Sequence, residues 1–178
     1  KKVQELIPIS LVEKNLNPNS IKIAQRESLM WGTHQQKAIE YGNVIHEILS
    51  YIKTKNDIDL AVTKALENGI IALSQKETVT SIITQICLHP ELSIFFDESN
   101  KILNEQIILR KEDNIVKPDR IVINQQNQAM ILDYKTGDPL AKHHKQVEVY
   151  EVALQNMGFK VVKKALVYIG ETLEIVTL

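Results

Sequence analysis

Two aspartates and a lysine, Asp119, Asp133 and Lys135, are the residues of this sequence whose types and spacing best suit catalysis. Asp133 and Lys135 lie two positions apart in the largely apolar run 130–135, which is typical of a β-strand. Because side chains alternate between the faces of a strand, Asp133 and Lys135 should share one face while Tyr134 points to the other. Asp119 opens a second β-like run, and the polar turn between the runs predicts a hairpin that sets the two carboxylates side by side.

Paired carboxylates of this kind favour a divalent cation. Hard oxygen ligands suit Mg²⁺ or Mn²⁺, and the backbone carbonyl of Tyr134 is a plausible further ligand. Such an ion could polarise a phosphoryl oxygen and activate a water, while Lys135 holds that water and stabilises the charge that develops on the phosphate. The alternative is structural, with Asp119 as a turn residue and Asp133 and Lys135 as an ion pair. These residues alone leave both interpretations open.

Hydrophobic periodicity divides the chain into a helical first half and a β-rich second half. This order predicts an α/β fold with a mixed sheet flanked by helices and an N-terminal helical part. Residues 1–33, interrupted by prolines, are predicted to be an arm or linker, and residues 34–178 a single domain. His143 and His144 are predicted to be solvated at a helix start. We predict helices over 36–53, 57–68, 76–88 and 142–157, and strands over 102–109, 115–123, 129–135, 160–169 and 172–177.

Composition narrows the class of protein. The 178 residues suffice for one domain with a hydrophobic core. No apolar run approaches the roughly 20 residues of a membrane span, and no signal peptide opens the chain. The single Cys87 excludes an intrachain disulfide and a cysteine-built zinc or iron–sulfur site, so a reducing cytosol is expected. The net charge of −1 lacks the basic signature of a dedicated nucleic-acid binder, and the start at Lys1 suggests a piece of a longer polypeptide.

The pattern Pro118-Asp119 … Asp133-x-Lys135 resembles the motif of the PD-(D/E)xK nuclease superfamily. Further features are similar to its exonuclease V (RecB/AddA) type, and they occur in the order of that family. They are Gly42-x-x-x-His46 on the first predicted helix, Glu105 in the strand before Pro118, and Gln146-x-x-x-Tyr150 on the helix after the lysine.

The resemblance implies a restriction-endonuclease-like core and a role for each matching residue. His46, Asp119 and Asp133 would be side-chain metal ligands, and the Tyr134 carbonyl a backbone ligand. Asp119 and Asp133 would also be catalytic, together with the catalytic Lys135.

Three other positions take supporting roles by the same resemblance. Glu105 would be an accessory acid at the metal or its water shell. Gln146 and Tyr150 lie at i and i+4 on one helix face, where they would contact the DNA backbone or support the catalytic strands.

The resemblance also implies a biological setting. It predicts a Mg²⁺-dependent, or Mn²⁺-dependent, DNA exonuclease domain without an iron–sulfur cluster, acting on linear ends and single strands in DNA end processing and recombinational repair. The chain lacks a Gly-rich phosphate loop, so the helicase motor would belong to the rest of the same full-length polypeptide, in the bacterial cytosol or nucleoid and without a membrane. Two alternatives remain: an inactive nuclease-fold module that binds DNA or a partner, and a stand-alone phage or CRISPR-type nuclease.

Overall fold

The computed structural model describes residues 34–109, 115–170 and 172–178. Helices precede strands, as predicted, and the predicted arm over 1–33 lies outside the described residues. The helices are α1 (His34–Tyr51), α2 (Ile58–Glu67), α3 (Lys76–Cys87) and α4 (Ala141–Asn156), and 3₁₀ turns occupy Lys55–Asp57, Leu73–Gln75 and Pro90–Phe96. The strands are β1 (Lys101–Asn104), β2 (Ile108–Leu109), β3 (Ile115–Val116), β4 (Arg120–Ile123), β5 (Gln128–Thr136), β6 (Lys160–Ile169) and β7 (Leu173–Thr177).

A five-stranded mixed sheet in the order β1-β4-β5-β6-β7 forms the centre of the fold. The predicted hairpin is present, because β4 and β5 pair in antiparallel register with Arg120 opposite Leu132. Strands β5 and β6 are parallel, so the chain must cross over between them, and it does so through α4. The predicted α/β class, a mixed sheet flanked by helices, is therefore confirmed, and it is consistent with a restriction-endonuclease-like core.

Each face of the sheet has its own hydrophobic core. On one face, α1, α2 and α3 pack against strand residues that include Met130, Leu132 and Tyr134. On the other, α4 packs against residues that include Ala129 and Ile131. This alternation along β5 places Tyr134 on the helix-rich face and confirms the predicted side-chain pattern of the strand.

Two predicted strands are interrupted, which corrects the sequence interpretation. The predicted strand 102–109 ends at Asn104, because Glu105 adopts a φ of 53° and turns the chain out of the ladder. The predicted strand 115–123 divides into β3 and β4 around Pro118, which has no N–H to donate. The outer pieces, β2 and β3, pair with each other as a separate two-stranded sheet. Both interruptions lie beside predicted site residues.

Residues Lys37–Leu178 form one compact unit. Within the described ranges, no single helix has both the length and the apolar character needed to cross a membrane. Two consecutive helical segments, Leu73–Cys87 and Pro90–Phe96, are together long and apolar enough for a membrane span, but they are bent by 88° where they meet.

Candidate metal and catalytic site

Three predicted site residues converge from separate elements. His46 comes from α1, Glu105 follows β1, and Asp119 precedes β4. One ligand atom from each lies within 4.8 Å of the others, and the His46 Nδ1 is 3.5 Å from the Asp119 Oδ2. All three side chains are half-buried, so they can bind an ion and still meet a substrate.

Close packing of α1 against the end of β5 brings His46 to this point. Gly42 lies one turn before His46, and a β-carbon built on Gly42 would come within 2.9 Å of the Thr136 Cγ2 and closer still to its hydroxyl oxygen. Any larger residue at position 42 would push the helix away from the strand. The absence of a side chain at Gly42 therefore permits the close approach of α1 to β5.

Glu105 reaches the site from a turn instead of from the predicted strand. Its positive φ brings its backbone N–H to the carbonyl of Asp119, at 2.9 Å. Its carboxylate forms an ion pair with the ammonium group of Lys117, which is exposed. An open cavity of about 460 Å³ borders this pair and His46.

Asp119 is held in its charged form. The backbone N–H of Tyr134 donates a hydrogen bond to its Oδ2, at 2.8 Å. Burial opposes ionisation, but the hydrogen bond and charge of His46, together with the Tyr134 N–H, lower the pKa of Asp119 below its ordinary value. Burial also acts to lower the pKa of His46, and Asp119 outweighs it, so the pKa of His46 is raised. In the absence of a metal, His46 and Asp119 thus each favour the charged form of the other.

Asp133 lies next to this cluster but is not one of the three residues, His46, Glu105 and Asp119, whose ligand atoms converge. Its carboxylate is 1% exposed and accepts no geometrically acceptable hydrogen bond from any residue that the structure describes. Its close partner is the ammonium group of Lys135, with which it forms an ion pair. Burial, followed by the charge of Asp119, raises the pKa of Asp133 to about 6. The backbone carbonyl of Tyr134 stays a predicted ligand. The Tyr134 ring packs edge-on against the His46 ring, with 5.8 Å between their centroids.

Gln146 and Tyr150 share one face of α4, as predicted, and connect it to the segment before Asp119. The Gln146 amide donates to the Tyr150 hydroxyl at 2.5 Å, and that hydroxyl donates a long hydrogen bond to the carbonyl of Lys117, at 3.4 Å. Tyr150 is buried, whereas Gln146 is exposed. This geometry suits support of the catalytic strands by Tyr150 and leaves Gln146 available to solvent.

His143 is a residue that the sequence interpretation misplaced. It is 8% exposed rather than solvated, and its Nδ1 lies 3.3 Å from the hydroxyl of Tyr168, the residue that pairs in register with Lys135. Burial, followed by the charge of Lys135, lowers the pKa of His143. The pattern was available in the sequence, because position 143 begins a helical stripe that continues at Val147 and Tyr150. His144 is exposed, as predicted.

Arg120 was also missed, although it directly follows Asp119. Its side chain is fully buried on the helix-rich face of the sheet, where it donates hydrogen bonds to backbone carbonyls of three other residues. An arginine inside an apolar strand run was the available sign, since arginine is almost never fully buried unless it is paired.

The donor set fits a divalent cation. Carboxylate oxygens and an imidazole nitrogen are ligands that divalent cations accept. Among the residues that the structure describes, both buried Asp133 oxygens lack a hydrogen bond, although one is paired with Lys135, and an ion could satisfy them. Cys87, the lone cysteine, is buried and free.

Comparison with known proteins identifies the family of this chain. No curated protein matches the sequence significantly. Among solved structures, the crystal structure of SSO0001 is similar at 18% identity, with a TM-score of 0.36, over 83% of this chain and 79% of that one. The family model of the PD-(D/E)XK nuclease superfamily matches residues 21–175. The chain therefore belongs to the PD-(D/E)XK nuclease superfamily, whose members hydrolyse phosphodiester bonds.

Proposed function

We propose that this protein is a Mg²⁺-dependent deoxyribonuclease, with Mn²⁺ as a possible substitute. The convergence of His46, Glu105 and Asp119 next to the Asp133–Lys135 pair is the observation that carries the proposal. His46, Asp119 and Asp133 would hold the ion through their side chains. Once bound, the ion would polarise a phosphoryl oxygen and lower the pKa of a coordinated water.

Lys135 is proposed to be the catalytic lysine. Its ammonium group is paired with Asp133 and mostly buried, which holds it on the α4 face of β5. From there it can orient a water by hydrogen bonding and stabilise negative charge that develops on the phosphate.

Glu105 and Lys117 are proposed to act at the edge of the site. Glu105 can bind a metal-coordinated water, as an accessory acid. Lys117, exposed next to it, can exchange its carboxylate partner for a DNA phosphate when substrate enters the open cavity. Gln146 is proposed to contact the DNA backbone and Tyr150 to support the segment before Asp119.

The biological setting is proposed from the order of the motifs. The Gly42-x-x-x-His46 and Gln146-x-x-x-Tyr150 pairs flank the central acids, as in exonuclease V nuclease domains. We therefore propose a domain of a helicase–nuclease that degrades linear DNA ends and single strands during recombinational repair in the bacterial cytosol. The chain's charge of −1 is in keeping with a DNA grip supplied largely by a motor in the same polypeptide.

The test is hydrolysis of linear single-stranded and double-stranded DNA with Mg²⁺, with Mn²⁺ and with EDTA. Lys135→Ala and Asp119→Ala are expected to abolish cleavage that Mg²⁺ supports. Lys160→Ala, which removes an exposed lysine at the opposite end of the β5–β6 pair, and Asp59→Asn on α2 serve as matched controls that keep activity.

Two results would contradict the proposal. Cleavage that survives EDTA, or that is unchanged in Lys135→Ala, would overturn the mechanism. Wild-type protein that binds Mn²⁺ and DNA but never cleaves would instead identify a nuclease-fold binding module.

A further inference from the structure

The carbonyl end of α1 is held by one buried guanidinium group. The Arg120 Nε donates to the carbonyl of Phe95 at 2.8 Å, Nη1 donates to that of Ile52 at 2.8 Å, and Nη2 donates to that of Lys53. The guanidinium also stacks on the ring of Phe96, 4.1 Å from its centroid. Ile52 and Lys53 directly follow α1, where helix carbonyls lack intrahelical partners and a positive charge is favourable.

Asn104 completes this arrangement from the neighbouring strand. Its amide nitrogen donates to the carbonyls of Ser50 and Ile52, at 2.9 and 2.7 Å, and its Oδ1 accepts from Arg120 at 3.1 Å. Asn104 and Arg120 are paired in the β1–β4 register. Two adjacent strands therefore hold the same helix end through a single hydrogen-bonded network.

Each end of this network is one residue away from a candidate metal ligand. Arg120 directly follows Asp119, and Asn104 directly precedes Glu105. The helix end that they bind belongs to α1, which carries His46 a little more than one turn before Ser50. A shift of α1 along the sheet would thus separate His46 from both carboxylates.

We propose that Arg120 and Asn104 form a carbonyl clamp that positions His46 against Asp119 and Glu105 and thereby sets the metal affinity of the site. Both are positioning residues, since they act through α1 and touch neither metal nor substrate. The planar, forked guanidinium is needed because one ammonium group could not reach three carbonyls in different directions. The metal part of this inference rests on the proposed function, whereas the placement of His46 does not.

The first experiment needs no metal. In the metal-free protein, the edge-on contact between the His46 and Tyr134 rings should give a nuclear Overhauser effect between their protons. Arg120→Lys and Asn104→Ala are expected to weaken it at least about threefold relative to wild type. Leu154→Ala removes a core side chain on the α4 face and controls for a general loss of stability. It should keep the ring contact.

The second experiment measures Mn²⁺ affinity by calorimetry on the same variants. Residues that orient metal ligands typically change affinity by about 10-fold to 100-fold, and a weakening of that size is expected for Arg120→Lys and Asn104→Ala but not for Leu154→Ala. If Arg120→Lys does not fold, the Mn²⁺ affinity and the ring contact of Asn104→Ala test the clamp. The ring contact retained in the clamp variants would overturn the inference, as would clamp variants that bind Mn²⁺ no more weakly than Leu154→Ala. Wild-type protein that does not bind Mn²⁺ would overturn the proposed function instead, and the ring contact would still test the clamp.

Discussion

The two faces of the β4–β5 hairpin each bury a charged group, and they treat it in opposite ways. On the helix-rich face, the fully buried Arg120 donates hydrogen bonds to three backbone carbonyls and to Asn104. On the α4 face, Asp133 is equally buried, yet among the described residues only the ion pair with Lys135 offsets its desolvation. A satisfied buried charge stabilises a scaffold, whereas an unsatisfied one marks a place where a ligand can complete the set.

The pKa values of the two site aspartates, Asp119 and Asp133, show the same contrast between a hydrogen-bonded and an unsatisfied charge. Asp119, bonded to the N–H of Tyr134 and to His46, has a lowered pKa. Asp133 accepts no such bond from the part of the chain that the structure describes, and burial raises its pKa to about 6. The two carboxylates, on adjacent strands, thus have pKa values shifted in opposite directions. Substitutions at the two faces of the hairpin should have separable effects on activity and stability.

Substitution of Asp133 should give the largest effect, a loss of activity without a loss of stability. Asp133→Asn is expected to lower the rate of DNA cleavage by about a thousandfold, equivalent to about 4 kcal/mol in activation free energy, since the substitution removes a proposed metal ligand. The melting temperature should stay unchanged or rise, because a desolvated carboxylate is removed. Cleavage assays and calorimetry measure the two quantities, with Asp59→Asn as the control. A large loss of stability would show that Asp133 is structural.

Substitution of Arg120 should have the opposite result, with its main effect on the free energy of unfolding. Arg120→Met leaves several carbonyls unpaired in the core, so the free energy of unfolding should fall by about 3 kcal/mol. Urea denaturation measures this change. A change below about 1 kcal/mol would mean that water replaces the guanidinium at no cost, and the contrast between the two faces would disappear.

The pH dependence of stability should separate the two carboxylates. Because the folded-state pKa of Asp133 is raised, its contribution favours folding below about pH 4 and is lost as the pH rises through about 6. Between these values, metal-free wild type should lose about 2 kcal/mol of stability relative to Asp133→Asn. Asp119 has the opposite sign, since its lowered pKa favours folding above about pH 4. Urea denaturation at several pH values with EDTA tests this, and a constant difference would contradict the raised pKa.

The smallest effect is expected at Gly42, where α1 touches β5. Gly42→Ala should lower the free energy of unfolding by about 1–2 kcal/mol, because the clash with Thr136 exceeds the gain in helix propensity. Thr136→Gly in the same protein should recover most of that loss, which a double-mutant cycle measures. Asn43→Ala, exposed on the same helix, is the control. A stabilising Gly42→Ala would show that the helix can move away from the strand freely.

Much of the fold was predictable because it depends on local patterns. The alternation along β5 predicted the faces of Asp133, Tyr134 and Lys135, and a polar turn predicted the β4–β5 hairpin. The breaks at Glu105 and Pro118 were not predicted, although polar residues separate the apolar runs at both positions and Pro118 itself disfavours a continuous strand. A positive φ at a glutamate has no clear sign in sequence, and it is tolerated here because its N–H pairs with the Asp119 carbonyl.

The sequence by itself determined which chemical groups are available and which strand face each occupies, because residue type and period-2 alternation are properties of neighbouring positions. It also supplied the motif order that identifies the superfamily. Only the tertiary structure decided that His46 meets Glu105 and Asp119, that Asp133 is desolvated, and that Arg120 holds the end of α1. The position of His46 and the contacts of Arg120 with α1 depend on residues more than fifty positions apart, which only packing of the helices onto the sheet brings together.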